Sequence, residues 1–280
     1  MNEYAGSRRL TVGKVLLYAF GYALAIGIAF PVAWMIATSF KPQGSLVAEL
    51  SQRFSPPFSF DNYVYIFENA PVLKWTMNSL IVSCIIPICS LTLGSLAAFA
   101  LSRIDFSYRK IAFWVILGGM MIPGEATIIS LYIVANGMNI LDTYFALILP
   151  SLAGPLGVLV LKQFFDGIPG ELVEAAKIDG CSMFRIWWNM FLPLSKPVLA
   201  SLMIFAFLGS WNDFLWPFLS ITSEDLMTLP VGIPFFNSSY TQDETLPMTI
   251  NAYASIPIII VFIIFQKYIV KGITLSGIKG

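Results

Sequence analysis

Residues 75–102 read WTMNSLIVSCIIPICSLTLGSLAAFALS, a run of 28 residues without a charged side chain. An α-helix rises about 1.5 Å per residue, so about 20 apolar residues cross the roughly 30 Å hydrocarbon core of a bilayer. This run is therefore long enough to form a transmembrane helix. Three more uncharged runs meet the same criterion: residues 15–40, 143–161 and 245–266.

Two further spans are predicted if one acidic residue is tolerated inside each. Residues 111–134 are interrupted only by Glu125, and residues 197–222 only by Asp213. The sequence thus predicts six transmembrane helices in a single transmembrane domain over residues 1–280. The expected fold class is an all-α integral membrane protein in a lipid bilayer.

The composition agrees with this class and excludes several functions. Hydrophobic residues make up 57% of the chain and charged residues 11%, against about 25% charged residues in soluble domains. The 16 basic residues are balanced by 16 acidic ones, which leaves no basic surface for nucleic acid. There is no histidine, and Cys84, Cys89 and Cys181 do not form a ligand cluster in the sequence. We therefore expect no metal site, no catalytic residue and no cofactor in this chain.

Lysine and arginine residues are distributed asymmetrically between the predicted connections, and cytoplasmic loops are enriched in these residues. They concentrate in the N-terminal segment, in the second and fourth connections and in the tail, whereas the external connections carry only Lys41, Arg53 and Lys74. This pattern predicts that both termini are cytoplasmic. It also predicts a cytoplasmic loop at residues 162–196 and external loops at residues 41–74 and 223–244.

The fourth connection, KQFFDGIPGELVEAAKIDGCSMFRIWWNMFLPLSK (residues 162–196), predicts a helix, a tight turn and a second helix. Pro169 favours a helix start, Gly180 favours a helix end, and Ser182 is a suitable cap for the second helix. Four aromatic residues of the second helix are spaced to share one face: Phe184, Trp187, Trp188 and Phe191. An aromatic amphipathic helix is also compatible with a position on the membrane surface.

This loop resembles the cytoplasmic signature of binding-protein-dependent ABC importer permeases. The matching residues are Glu174, Ala175 and Ala176, then Gly180 four positions later, then Leu192 and Pro193, with Met190 where the family usually has isoleucine. Other segments are similar to the sugar-importing branch, in particular to the smaller permease subunit of maltose-type transporters: Ser39–Pro42, Asn78–Leu80, Trp211–Asp213 and Gly272–Gly280.

The resemblance implies a type I ABC importer permease fold whose loop docks as a coupling helix on a separate ATP-hydrolysing subunit. Glu174 would make polar contacts with that subunit, and Gly180 would allow the turn. The implied partners are a homologous second permease, two ATP-binding subunits that hold ATP and Mg, an extracytoplasmic solute-binding protein and a sugar. This chain contains no Gly-x-x-x-x-Gly-Lys-Ser/Thr phosphate loop. It is therefore expected to be a transporter subunit, not an enzyme, in the cytoplasmic (inner) membrane of a bacterium or archaeon.

Polar residues inside the spans are candidates for a substrate pathway, because an ionisable group in a bilayer is costly and usually functional. Glu125 and Asp213 lie roughly 22 to 26 Å from the basic residues at the cytoplasmic helix ends, in the outer part of the bilayer. Amide and aromatic residues near them in the sequence suit hydrogen bonding to and stacking on a neutral carbohydrate: Asn78, Trp211, Asn212 and Trp216. The alternative is that Asn212 and Asp213 hold neighbouring helices together.

Residues 223–244 would contact the solute-binding protein by the same resemblance, and a solvated link between two spans fits their composition equally well. Other function classes stay open. An ion- or proton-coupled carrier would use Glu125 and Asp213 as titrating groups and would not need Glu174. A membrane-embedded enzyme would have to rely on the same two acids. Within the importer class, a non-sugar solute is a further alternative.

Overall fold

The computed structural model describes residues 12–43, 50–237 and 243–277, and these ranges contain helices and connecting loops without a β-strand. The predicted all-α class is confirmed. Arg8, Arg9 and Lys279, which contribute to the predicted charge asymmetry, lie outside the described residues, as do residues 278–280 of the tail. The α-helices are α1 (Val12–Ser39), α2 (Leu50–Arg53), α3 (Asp61–Asn69), α4 (Val72–Arg103), α5 (Arg109–Gly119), α6 (Gly124–Gly137), α7 (Tyr144–Ile148), α8 (Pro155–Asp166), α9 (Gly170–Ile178), α10 (Met183–Ile186), α11 (Leu192–Leu194), α12 (Lys196–Trp211), α13 (Leu215–Ser220), α14 (Leu229–Gly232) and α15 (Thr245–Gly277).

Four segments within the described residues are each long and apolar enough to cross a membrane: Gly13–Ser39, Val72–Arg103, Tyr144–Asp166 and Thr245–Gln266. They correspond to the first, second, fourth and sixth predicted spans. The segment from Tyr144 includes a 3-10 turn, Leu149–Leu152, between α7 and α8. Because α8 continues to Asp166, the cytoplasmic loop begins about one helical turn later than the predicted residue 162.

The third predicted span, residues 111–134, is not one continuous helix. It consists of α5 and α6, whose axes meet at 102°. Gly118 and Gly119 end α5, and Pro123 precedes α6. Glycine has low helix propensity, and proline lacks the N–H needed to continue a helix. The sharp bend therefore follows from the residues that interrupt the apolar run.

The fifth predicted span, residues 197–222, is also broken. Helix α12 ends at Trp211, and the short helix α13 begins at Leu215 after a three-residue break. At its cytoplasmic end, α12 is bent by 79° from the Met183–Leu194 segment. Counting each bent pair as one span raises the four candidate spans to at most six within the described residues.

The chain, expected to form one domain, clusters into two compact units. The first comprises the described parts of Met1–Asn69 and Phe235–Tyr253. Polar contacts of the Ser39–Lys41 segment hold this unit together. Asn62 Nδ2 donates to the carbonyls of Ser39 and Lys41 at 3.1 and 2.7 Å, and Thr249 Oγ1 donates to the Ser39 carbonyl at 3.1 Å. The buried Lys41 ammonium donates to the carbonyl of Ser55. This segment, which is similar to the sugar-importing branch, is structural within its unit.

The second unit comprises Ala70–Pro234 and the described part of Ala254–Gly280. Helix α4 lies at its centre and packs along α8 and α12. At one end of the core, the Phe191 ring meets the rings of Phe99 and Phe165 edge-on, with centroids 4.8 and 5.1 Å apart. All three rings are buried. Phe191 follows α10, so this aromatic cluster attaches the predicted coupling loop to the helical core.

Candidate functional site

The helix pair α9–α10 has the predicted organisation of helix, turn and helix. Helix α9 ends in a Schellman motif: Gly180 N–H donates to Lys177 O at 3.0 Å, and Cys181 N–H donates to Ala176 O at 2.9 Å. Gly180 has φ +76°, a conformation that other residues rarely adopt. Ser182 Oγ accepts a hydrogen bond from Arg185 N–H at 3.3 Å. The predicted glycine helix end and serine cap are therefore confirmed.

The predicted single aromatic face of the second helix is wrong in one respect, because it is divided between two environments. Trp187 and Phe191 are buried, whereas Phe184 and Trp188 are exposed. The helix widens into a π-helical turn over Trp187–Phe191, just before Pro193. Because Pro193 has no N–H to continue the regular ladder, a wider turn is favoured here. The helix is therefore fixed to the core by the rings of Trp187 and Phe191, whereas the rings of Phe184 and Trp188 lie on the surface of the chain.

The exposed side of the helix pair carries large apolar side chains next to charged ones. Ile178 is 87% exposed, and three other large apolar side chains are exposed beside it in sequence on the two helices: Leu172, Phe184 and Trp188. We call these four residues the apolar patch. Glu174, Ala175, Gly180 and Pro193 are also exposed, whereas Ala176, Met190 and Leu192 are half-buried against the core. An exposed apolar patch with neighbouring polar groups is typical of a protein–protein contact.

Asn78, Trp211 and Trp216, which were predicted near a substrate pathway, are buried and bonded within their own unit. Asn78 Nδ2 donates to the carbonyls of Asp225 and Met227 at 2.9 and 2.8 Å, and its Oδ1 accepts from Tyr144 Oη at 2.6 Å. The indole N–H groups of Trp211 and Trp216 donate to backbone carbonyls of residues 254 and 146, at 3.2 and 2.8 Å. These polar atoms are therefore already engaged in helix–helix and helix–loop contacts.

Glu125, Asn212 and Asp213 lie at the two helix breaks, and this position explains why polar residues occur inside apolar runs. Glu125 is exposed in the first turn of α6, where a negative charge is favourable. Asn212 is exposed and ends α12, donating to the carbonyl four residues earlier at 2.8 Å. Asp213 lies two residues before α13, where the free backbone N–H groups of the first turn favour a negative charge. Helix α13 packs against α6 and α7.

A segment whose packing the sequence reasoning missed lies against the N-terminal end of α4. Trp75 Nε1 donates to the Glu224 carbonyl at 3.0 Å, and Leu229 N–H donates to Ser79 Oγ at 2.8 Å. A Cβ atom on Gly232 would lie 2.1 Å from the Trp75 ring, so only glycine allows this contact. Residues 223–234 are thus a docked segment rather than a solvated link. The available sequence signal was the apolar run of residues 229–236 inside the connection.

A second external contact depends on Asp142, which the sequence reasoning did not single out. Asp142 has φ +59°, and its carboxylate accepts hydrogen bonds from the Ser223 hydroxyl, the Ser223 N–H and the Thr222 N–H. The bonds from Ser223 outweigh partial desolvation and hold the pKa of this carboxyl, which lies outside the spans, below its usual value. The contact fixes the α6–α7 connection to the segment that follows α13.

The described residues contain no group of three or more cysteine or acidic side chains placed to bind a metal ion. What they do contain is a set of membrane-spanning helices and, at one end of the core, a rigid helix pair with an apolar patch. These features define a multi-pass membrane subunit that works together with another protein. A family model described as "Binding-protein-dependent transport system inner membrane component" matches residues 90–275, and the chain belongs to this family.

Two curated relatives match almost the full chain. Arabinooligosaccharides transport system permease protein AraQ of Bacillus subtilis (strain 168) is 32% identical over 98% of this chain and 99% of the relative. Trehalose/maltose transport system permease protein MalG of Thermococcus litoralis is 31% identical, again over 98% and 99%. The resemblance found in the sequence is confirmed. The chain is a membrane-spanning transport subunit and not an enzyme, and ATP hydrolysis belongs to separate subunits of such systems.

A solved structure has the same fold. It is the crystal structure of a bacterial ABC transporter involved in the import of the acidic polysaccharide alginate, and one of its chains matches with a TM-score of 0.80 and 20% identity. The match covers 96% of this chain and 99% of that chain. The importer permease fold predicted from the sequence is therefore confirmed.

Proposed function

We propose that this chain is the permease subunit of an ATP-driven, binding-protein-dependent importer of an oligosaccharide or a related neutral carbohydrate. The names of the full-length relatives, which refer to arabinooligosaccharides and to trehalose and maltose, support this substrate class. The charges support a neutral substrate, because Lys and Arg residues of the described spanning segments lie close to the helix ends. A fixed positive partner for an anionic sugar would have to come from another subunit.

The helix pair α9–α10 is the observation that carries the proposal. Its apolar patch is exposed, while its inner side is fixed by buried side chains such as Val173 and Trp187. A rigid element with an apolar outer surface is suited to receive a partner and to pass on its displacement as a rigid-body movement. We assign this surface to a separate ATPase subunit, with Glu174 making polar contacts at its edge.

The complete transporter would contain this chain, a homologous second permease, two ATP-binding subunits and an extracytoplasmic solute-binding protein. ATP and Mg would be bound by the ATP-binding subunits. The basic residues of the helix pair and of the α4–α5 connection favour a cytoplasmic position for this end of the molecule, with both termini on the same side. The membrane would be the cytoplasmic (inner) membrane of a bacterium or archaeon.

We further propose that the predicted pathway residues divide into two groups. Glu125, Asn212 and Asp213 are not fully buried and lie at helix breaks, where polar groups can face a water-filled pathway. Asn78, Trp211 and Trp216 lie behind them and hold the wall in place through their internal hydrogen bonds. Direct sugar contacts are thus expected from the first group.

The test is reconstitution of the purified complex in proteoliposomes. Uptake of tritium-labelled arabino- and malto-oligosaccharides is measured with ATP inside or outside, together with ATP hydrolysis. We expect uptake only when ATP is on the side of the ATPase subunits. Glu174→Gln should lower both sugar-stimulated hydrolysis and uptake, whereas Glu171→Gln, an equally exposed substitution on the same helix, should change neither strongly.

One pattern of results would contradict the proposal. ATP-independent uptake that survives Glu174→Gln and is abolished by Asp213→Asn would identify an ion- or proton-coupled carrier instead. Uptake of amino acids but of neither sugar class would agree with an ATP-driven importer and would refute the proposed sugar substrate.

A further inference from the structure

Arg103 is the last residue of α4, and its side chain reaches the cytoplasmic loop at two separate places. Its guanidinium group donates hydrogen bonds to the carbonyls of Phe165 and Ile168, which precede α9. The same group lies over the ring of Phe191, which follows α10, at 5.4 Å from the ring centroid. One side chain therefore contacts the chain segments on both sides of the helix pair.

The contact suits an arginine side chain, whose Nη2 nitrogen donates both hydrogen bonds. The Phe165 carbonyl at the end of α8 already accepts a hydrogen bond from the Ile168 N–H at 3.1 Å, and carbonyls at a helix C-terminus carry partial negative charge that attracts a cation. A planar guanidinium group meets two such acceptors at once and stacks on an aromatic ring, whereas a lysine ammonium is a single compact charge. Phe165 and Phe191 are fully buried, and hydrogen bonds at the edge of a low-dielectric core are stronger than those in water.

Arg103 connects the helix pair to α4, the helix at the centre of the second unit. Helix α4 packs along α8 and α12 and runs through the whole second unit, so its cytoplasmic end is connected to the packing of the other spans. Ser102 Oγ provides a second polar link, a 2.6 Å hydrogen bond to the Asp166 carboxylate at the end of α8, whereas Arg103 reaches the segments on both sides of the helix pair. Apolar contacts are non-directional, whereas two charge-assisted hydrogen bonds fix direction and distance.

We propose that Arg103 is a positioning residue that converts displacement of the α9–α10 pair into movement of α4. This inference rests on the proposed function, in which an ATPase subunit displaces the pair. It assigns a role in coupling to a residue that the sequence indicates only as a cytoplasmic charge.

Arg109 provides a matched control, because it is a second arginine at the same end of α4 with different contacts. Its guanidinium group donates to the carbonyls of Leu101 and Ser102, the latter at 3.1 Å, and pairs with Asp105 at 3.2 Å. These contacts are with the last turn of α4 and with the α4–α5 connection. Replacement of Arg109 should therefore affect local stability without changing the link to the helix pair.

The experiment measures sugar uptake per ATP hydrolysed in proteoliposomes containing the complete complex, with labelled arabino- and malto-oligosaccharides as probes. The ratio does not depend on how much complex is assembled. We expect Arg103→Met to lower it about tenfold, within the range of typical coupling between sites, while ATP hydrolysis per complex stays within about twofold. Arg103→Lys should give an intermediate ratio, and Arg109→Met should match the unsubstituted protein.

Two outcomes would overturn the inference. If Arg103→Met lowers uptake and hydrolysis in the same proportion, the residue serves only folding or assembly. If Arg103→Met and Arg109→Met change the ratio equally, coupling does not run through this contact. Absence of ATP-driven uptake by the unsubstituted complex would instead refute the proposed function, so the two failures are distinguishable.

Discussion

Replacement of Gly180 by alanine tests the turn between the two cytoplasmic helices. A Cβ atom at this position would meet no heavy atom within 4 Å, so the substitution causes no clash. Its effect comes only from φ +76°, which costs an L-residue about 1–2 kcal/mol in the left-handed region. A cost of this size raises the population of the opened turn about 5- to 30-fold. Gly180→Asn should be milder, because asparagine tolerates this conformation.

Hydrogen–deuterium exchange of the detergent-solubilised protein measures this population directly. We expect amides of α9 and α10 to exchange faster by the stated factor in Gly180→Ala, while amides of α4 remain unchanged. Gly167→Ala is the control in the same loop, since Gly167 has φ −76° and its nearest contact would be an ordinary 3.4 Å. Equal exchange in Gly180→Ala and the unsubstituted protein, or equal acceleration in Gly167→Ala, would refute the reasoning.

Three further substitutions test the external side. Gly232→Ala should destabilise the protein by about 1–3 kcal/mol through overpacking, as measured by thermal unfolding in detergent. Adding Trp75→Leu to the same chain should recover part of the lost stability, because the added Cβ atom clashes with the Trp75 ring. Asp142→Asn should lower the thermal midpoint at pH 7, because the lowered pKa of this carboxyl means that its bonding to Ser223 stabilises the fold above about pH 3.9. This stabilisation is lost as the pH falls through the folded-state pKa. A difference in thermal midpoint between the two proteins that stays constant down to pH 2 would contradict this. Asn78→Leu should reduce the free energy of unfolding by about 1–3 kcal/mol, because it leaves buried polar partners unpaired. The sugar concentration for half-maximal uptake should not change. A change in this concentration without a loss of stability would show that the amide contacts sugar.

The all-α class, the family and the cytoplasmic helix pair were predictable from the sequence because each depends on local signals. Uncharged length identifies spans, and Gly180 and Ser182 have strong positional preferences at helix ends. The breaks in the third and fifth spans were not predicted, because hydropathy sums do not depend on helix continuity. Glu125 and Asp213 were interpreted as pathway or titrating groups, with helix–helix contact as the alternative for Asp213, although an acid inside an apolar run is also a signal for a new helix start.

The internal hydrogen bonds of the candidate site required the three-dimensional structure. The residues bonded to Asn78 lie 147 and 149 positions away in the chain, a separation that no local pattern encodes. The same holds for the contact between Gly232 and Trp75. The spacing that placed four aromatic rings on one face was correct in register, but only packing decides that Trp187 is buried and Trp188 exposed.

Helix α1 has a consequence for how this sequence can change over time. Every side chain from residue 13 to residue 33 is exposed, whereas Thr38 and Ser39 near its end are buried. The sequence of residues 13–33 is therefore constrained by what surrounds the helix, lipid or a neighbouring subunit, and not by packing against the rest of this chain. Many apolar sequences satisfy a lipid environment, so this part should drift rapidly among relatives unless another subunit covers it. Slow drift along one stripe of residues 13–33 would thus mark a subunit interface, readable from sequences alone.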